Sequence, residues 1–210
     1  MHKISLGTSA DRRHLEERSN MTLANKITIA RILLIPVFVL FAIYYGQSVE
    51  QGEAKEWFRW AAIATFILAS ATDGVDGWVA RKFKQKSHLG AILDPIADKG
   101  LLLTAIITLT LSKWTYAFPL WFPVLVIARD AVIVTGCMIL KHLNGHLDVA
   151  PTFIGKAATA LQMVAIACVM LQIPHHIYAV YAAGFFTLLS GLGYIAAGIA
   201  QVRHHGTPVS

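Results

Sequence analysis

Charge is scarce in this chain. Asp, Glu, Lys and Arg make up 14% of its 210 residues, against 56% for apolar types, where a soluble domain carries about 25% charged residues. That shortage excludes an ordinary soluble domain and fits a helical membrane protein. Cysteine is nearly absent too: Cys137 and Cys168 both fall inside apolar runs, which excludes a disulfide scaffold or a zinc centre and leaves packing as their role. No run alternates apolar and polar residues with period two, and the apolar runs are about twice as long as a barrel strand needs, which excludes a β-barrel. Internal repeats and low-complexity segments are absent. A cleavable signal peptide is not expected, because the first long apolar run starts late and no small-residue cleavage site follows it.

What the chain does have is apolar stretches of spanning length, at about Thr28 to Tyr45, Phe58 to Val79, Leu93 to Leu111, Leu120 to Leu140, Ala157 to Ile173 and Ile177 to Ala200. They predict an all-α integral membrane bundle of six transmembrane helices. Lys3, Arg12, Arg13, Arg18 and Lys26 precede the first span, and Arg81, Lys82, Lys84 and Lys86 follow the second. These basic ends are expected on the cytoplasmic side, together with both termini. Residues 9–24 mix arginines with Leu15, Met21 and Leu23, a pattern that suits an N-terminal interfacial amphipathic segment as well as it suits a flexible basic tail. The domain reading is a basic arm over 1–26, a transmembrane domain over 27–202 and a cytoplasmic tail over 203–210. The net charge of +6 sits beside apolar spans, so membrane lipids with anionic headgroups are the expected partner and nucleic acid is not. His175-His176 and His204-His205 fit interfacial positions better than metal ligation.

Against this apolar background four carboxylates stand together: Asp73 and Asp76, then Asp94 and Asp98. Charge beside membrane spans is costly enough to indicate a function. On helices the first two stand at i, i+3 and the second two at i, i+4, so each pair shares one helix face. Acids converging in this way repel one another unless cations join them. Hard oxygen donors suit Mg²⁺ or Mn²⁺, and two such pairs on facing helices are enough for a site holding two divalent cations that handles phosphate esters. Gly77, directly after Asp76, and Ala80, one turn along, leave room beside the acids. Arg81 offers a planar fork for phosphate oxygens, and Gly90 allows close approach of the two helices. Asp94-Pro95 predicts a helix beginning at Asp94 as its N-cap, or a kink at Pro95 if the helix starts earlier.

The order Asp73-x-x-Asp76-Gly77-x-x-Ala80-Arg81, then Gly90, Asp94 and Asp98, resembles the signature of the CDP-alcohol phosphotransferase family at every fixed position. The resemblance implies that Asp73, Asp76 and Asp94 ligate the metals and that Asp98 is the general base and also touches a metal. It further implies that Asp73, Gly77, Ala80, Arg81 and Gly90 bind the CDP donor, CDP-diacylglycerol. It extends over Ala24 to Arg31 with Pro36, over Arg129-Asp130, and over Gly155-Lys156 to Gln162-Met163, the last being similar to phosphatidylglycerophosphate synthases and CMP-forming cardiolipin synthases.

Arg31, Arg129 and Lys156 are the expected holders of an acceptor phosphate. The implied reaction moves phosphatidyl from CDP-diacylglycerol to glycerol 3-phosphate and releases CMP. The alternative acceptor is phosphatidylglycerol, giving cardiolipin, because Gly136-Cys137 stands where the glycerol-phosphate enzymes usually have Leu-Arg two turns after their Arg-Glu. A divalent-cation transporter is a distant third, since it would spread its acids deep in several helices. The expected location is the bacterial inner (cell) membrane with the active site on the cytoplasmic side, and a homodimer is compatible with all of this.

Overall fold

Apolar runs of this length satisfy their backbone polar groups only as helices when water is scarce, and helices are what form. The computed structural model describes residues 23–83, 88–144 and 153–205, with side chains described for 29–72, 99–136, 138 and 153–198. The described residues form six α-helices: α1 Leu23–Glu50, α2 Glu56–Phe83, α3 His88–Leu111, α4 Trp121–Asn144, α5 Phe153–Met170 and α6 His176–His205. No strand occurs among them. The residues proposed for an interfacial N-terminal segment lie almost wholly outside the described ones.

Among the described residues, three stretches are long and apolar enough to cross a membrane: Ile29–Glu50 of α1, all of α5 and His176–Gly198 of α6. Lys99–Leu111 of α3 is a shorter apolar segment. The chain is thus an all-helical membrane protein. Its outward surface agrees, with Leu33, Leu40, Ile67, Leu68, Leu188 and Leu192 all exposed, an apolar cover that a soluble monomer rarely presents.

The buried faces follow helical spacing: Phe38, Ala42 and Tyr45 on α1, Ala62, Phe66 and Ala69 on α2, Leu101, Ala105 and Leu109 on α3, and Ala158, Gln162, Ala165 and Val169 on α5. Alanines recur because small side chains let helix backbones approach closely where lipid supplies no hydrophobic drive. α1 packs along α2 and also against α3, while α6 packs against both α4 and α5. α3 touches α2, α4 and α5, and so joins the two halves.

One end of the bundle is closed by polar and aromatic contacts. The Trp114 indole donates to the Ala42 carbonyl at 2.9 Å and meets the Tyr45 ring edge-on, with centroids 4.6 Å apart. Gln172 donates to the Tyr45 hydroxyl at 2.6 Å, Tyr45 donates to Glu56 at 3.3 Å, and Lys113 pairs with Glu50. At this end the His176 ring lies tilted against Tyr116, with centroids 4.5 Å apart.

Gly46 makes this end possible. A Cβ there would come to 3.0 Å of the Lys113 backbone nitrogen and 3.3 Å of the Ser112 carbonyl carbon, and backbone cannot swing aside. Gly46→Val is therefore expected to destabilise the bundle by about 1–3 kcal/mol through overpacking. Gly193→Val, where an added Cβ meets nothing within 4 Å, is the matched control. Thermal unfolding in detergent checks this, and equal midpoints for the two variants would refute the packing account.

Candidate active site

Helical backbone runs without a break through residues 73–83 of α2 and 88–98 of α3. Asp73, Asp76, Gly77, Ala80 and Arg81 all lie on α2, and Gly90, Asp94 and Asp98 on α3. The i, i+3 and i, i+4 registers expected of the acids are thereby met on two consecutive helices that pack together. That register, with hard oxygen donors only, fits divalent cations of the Mg²⁺ or Mn²⁺ kind. The side chains of these eight residues lie outside the described ones.

One local expectation is corrected. α3 starts at His88, so Asp94 is not its N-cap and Pro95 is not its first residue. Two further turns of helix precede them, and Gly90 rather than Asp94 falls in the opening turn. The capping preference of an Asp-Pro pair is local and modest, and continuation of an already nucleated helix outweighs it.

Arg31 is wholly buried. Its Nε donates to the Thr72 hydroxyl at 3.4 Å, while Thr72 donates to the Ala69 carbonyl one turn back at 2.6 Å. Thr72 immediately precedes Asp73, so α1 brings a fixed cation to the start of the acidic motif. A guanidinium sunk in a bundle of low polarity is expensive unless it meets negative charge or polar partners, and the Thr72 hydroxyl is one such partner.

The second cationic group spans three helices. Arg129 on α4 is nearly buried and donates from Nη1 to its neighbour Asp130 at 2.8 Å. Its Nη2 and Nε donate to the Ser190 hydroxyl of α6 at 3.2 and 3.4 Å, and Nη2 also reaches the Gly155 carbonyl at the start of α5 at 3.5 Å. Lys156, the next residue, is exposed on the first turn of α5. Arg129 and the Lys156 segment are thus brought together at the α4–α5 junction, whereas Arg31 meets α2 at Thr72. Deeper along α5, buried Gln162 donates to Thr187 of α6 at 2.8 Å, and Thr187 donates to the Ala183 carbonyl at 2.7 Å, so the Gly-Lys to Gln stretch also pins α5 on α6.

Sequence reasoning missed Lys99 and Ser190. Lys99 on α3 pairs with Asp130 at 3.2 Å. A lysine inside an apolar run is itself a signal of function, and it was available one residue past Asp98. Ser190 had no such signal, because serine is common in membrane helices and its role comes only from facing Arg129.

A family profile described as CDP-alcohol phosphatidyltransferase matches residues 21–192, which take in every candidate site residue from Arg31 to Ser190. The chain is 35% identical over 185 residues to CDP-diacylglycerol–glycerol-3-phosphate 3-phosphatidyltransferase of Bacillus subtilis (strain 168), covering 83% of this chain and 93% of that protein. It is 33% identical over 185 residues to the Escherichia coli (strain K12) protein of the same name, covering 84% of this chain and 94% of that protein.

Proposed function

Because the chain belongs to the CDP-alcohol phosphatidyltransferase family, we propose that it transfers phosphatidyl from CDP-diacylglycerol to glycerol 3-phosphate and releases CMP. The observation that carries this reading is the acid signature in unbroken helical register on α2 and α3, inside the matched domain. The activity for which the Bacillus and Escherichia relatives are named supports glycerol 3-phosphate as the acceptor.

In the reaction, the acceptor hydroxyl oxygen attacks the phosphorus that carries the diacylglycerol. The bond from that phosphorus to the bridging oxygen breaks, and CMP departs with the electron pair. Asp98 takes the hydroxyl proton as general base. Asp73, Asp76 and Asp94, with Asp98, would hold two divalent cations, which supply neutralisation of the phosphate charge. Gly77, Ala80 and Gly90 leave space for the CDP moiety, and Arg81 forks onto its phosphate oxygens. Arg129 and Lys156 hold the acceptor phosphate, with Arg31 at the edge of the acids between the two substrates.

All six helices cross the bacterial inner membrane in this reading, with the acidic end of the bundle and both termini facing the cytoplasm. Arg81 and Lys82 in the last turn of α2, with Lys84 and Lys86 after it in the sequence, support that orientation, and soluble CMP can then leave while the lipid product stays in the bilayer. A second reading, cardiolipin synthesis with phosphatidylglycerol as acceptor, is favoured by one residue: Cys137, eight positions after Arg129, is not the arginine usual in the glycerol-phosphate enzymes.

Purified protein given CDP-diacylglycerol with labelled glycerol 3-phosphate or with phosphatidylglycerol separates the two. Label in phosphatidylglycerophosphate is expected. Cardiolipin from the second mixture, with glycerol 3-phosphate ignored, would transfer the assignment to the second reading.

A further inference from the structure

Two cations from different helices close on a single carboxylate oxygen. Oδ1 of Asp130 lies 2.8 Å from Nη1 of Arg129 and 3.2 Å from Nζ of Lys99. Arg129 is held on its other side by Ser190 and the Gly155 carbonyl, so its guanidinium is fixed in orientation. Lys99 is about half exposed, and it is the residue directly after Asp98 on α3. The lysine also lies where α1 and α3 come together, since a Cβ on the adjacent Gly100 would stand 3.9 Å from Ile35 of α1, one turn from Arg31.

Among the described residues, two positive groups and one negative group meet at this point, one positive charge in excess. A purely structural ion pair in a setting of low polarity is better served by one cation per acid, because each uncompensated charge is costly there. The excess suits a doubly charged anion that arrives with the substrate. Lys99 is also carried by the helix that bears the base.

We propose that Lys99 is a binding residue for the acceptor phosphate, working with Arg129, and that Asp130 is the positioning residue that gathers the two cations. This rests on the reading of glycerol 3-phosphate as acceptor and extends it. A lysine fixed one residue from Asp98 ties the phosphate end of the acceptor to the helix that removes its hydroxyl proton, so that orientation and proton transfer share one rigid element.

The test is steady-state CMP release by the purified enzyme with each substrate varied in turn. Lys99→Gln is expected to raise the KM for glycerol 3-phosphate about 10- to 100-fold, as loss of a hydrogen bond to a charged group does, with kcat and the KM for CDP-diacylglycerol nearly unchanged. Lys99→Arg is expected to restore most of the affinity. Asp130→Asn keeps the shape but releases both cations, and it should raise the same KM. The double variant Lys99→Gln/Asp130→Asn should raise that KM by less than the product of the two single effects, since the two changes share the Lys99–Asp130 contact. Should Lys99→Gln not fold, Lys99→Arg and Asp130→Asn carry the test, the first keeping the wild-type KM and the second raising it.

An unchanged KM for glycerol 3-phosphate in Lys99→Gln, or an effect confined to kcat or to CDP-diacylglycerol, would overturn the assignment while the transferase reading stands. Failure of that reading is visible earlier and separately, as wild-type enzyme that ignores glycerol 3-phosphate, and it would remove this assignment too.

Discussion

Asp98→Asn is expected to lower CMP release by about 10²–10⁴-fold, the usual cost of losing a general base, while the protein still elutes and unfolds as the wild type does. An amide matches the carboxylate in size and can coordinate a cation weakly through its oxygen, yet it cannot accept the hydroxyl proton. The change also removes one negative charge from a group of four that repel one another, so no loss of stability is expected. Because the missing step belongs to the transition state, kcat should fall and the KM for each substrate should move little. A variant that releases CMP at near wild-type rates would take Asp98 out of the proton-transfer role and leave it, at most, a ligand.

The second large effect is the response to metal removal. A chelator is expected to bring CMP release to background, and Mg²⁺ or Mn²⁺ added back should restore it. Ca²⁺ should restore far less, because it is larger and prefers looser, higher coordination than a closely spaced pair of carboxylate pairs provides. A readout apart from turnover is available: ions that bind the folded state and not the unfolded one raise the unfolding midpoint by mass action. Mg²⁺ should therefore stabilise the wild type and should stabilise an Asp73→Asn/Asp94→Asn variant much less. Full activity in excess chelator would end the two-cation mechanism, whatever the identity of the acceptor.

How much of this was legible beforehand differs from residue to residue. The all-α class came from run length, and the acid site came from spacing along helices, since register depends on the chain alone once helical backbone forms. Arg129 and Asp130 were readable as a pair because they are sequence neighbours. Helix ends were read less well: α1 begins at Leu23 and α3 at His88, both earlier than apolar runs or capping residues indicated. An apolar run marks what lipid would contact, whereas a helix continues until its backbone partners run out.

The sequence by itself determined that this is a helical membrane protein, that its charges are few, and that four aspartates stand in helical register beside residues small enough to admit a substrate. Tertiary structure alone decided which distant partners the cations meet: Arg31 the Thr72 hydroxyl beside the motif, Lys99 the Asp130 carboxylate, and Arg129 the Ser190 hydroxyl. The physical reason lies in the helices themselves. On α1, Phe38 is fully buried while Leu33, equally apolar, is 64% exposed. A helix that is apolar on every side carries no stripe to say which face turns inward. Rotation and axial offset, and with them every contact between helices, are settled only when small residues such as Ala42, Gly46 and Ala105 let particular faces close on one another.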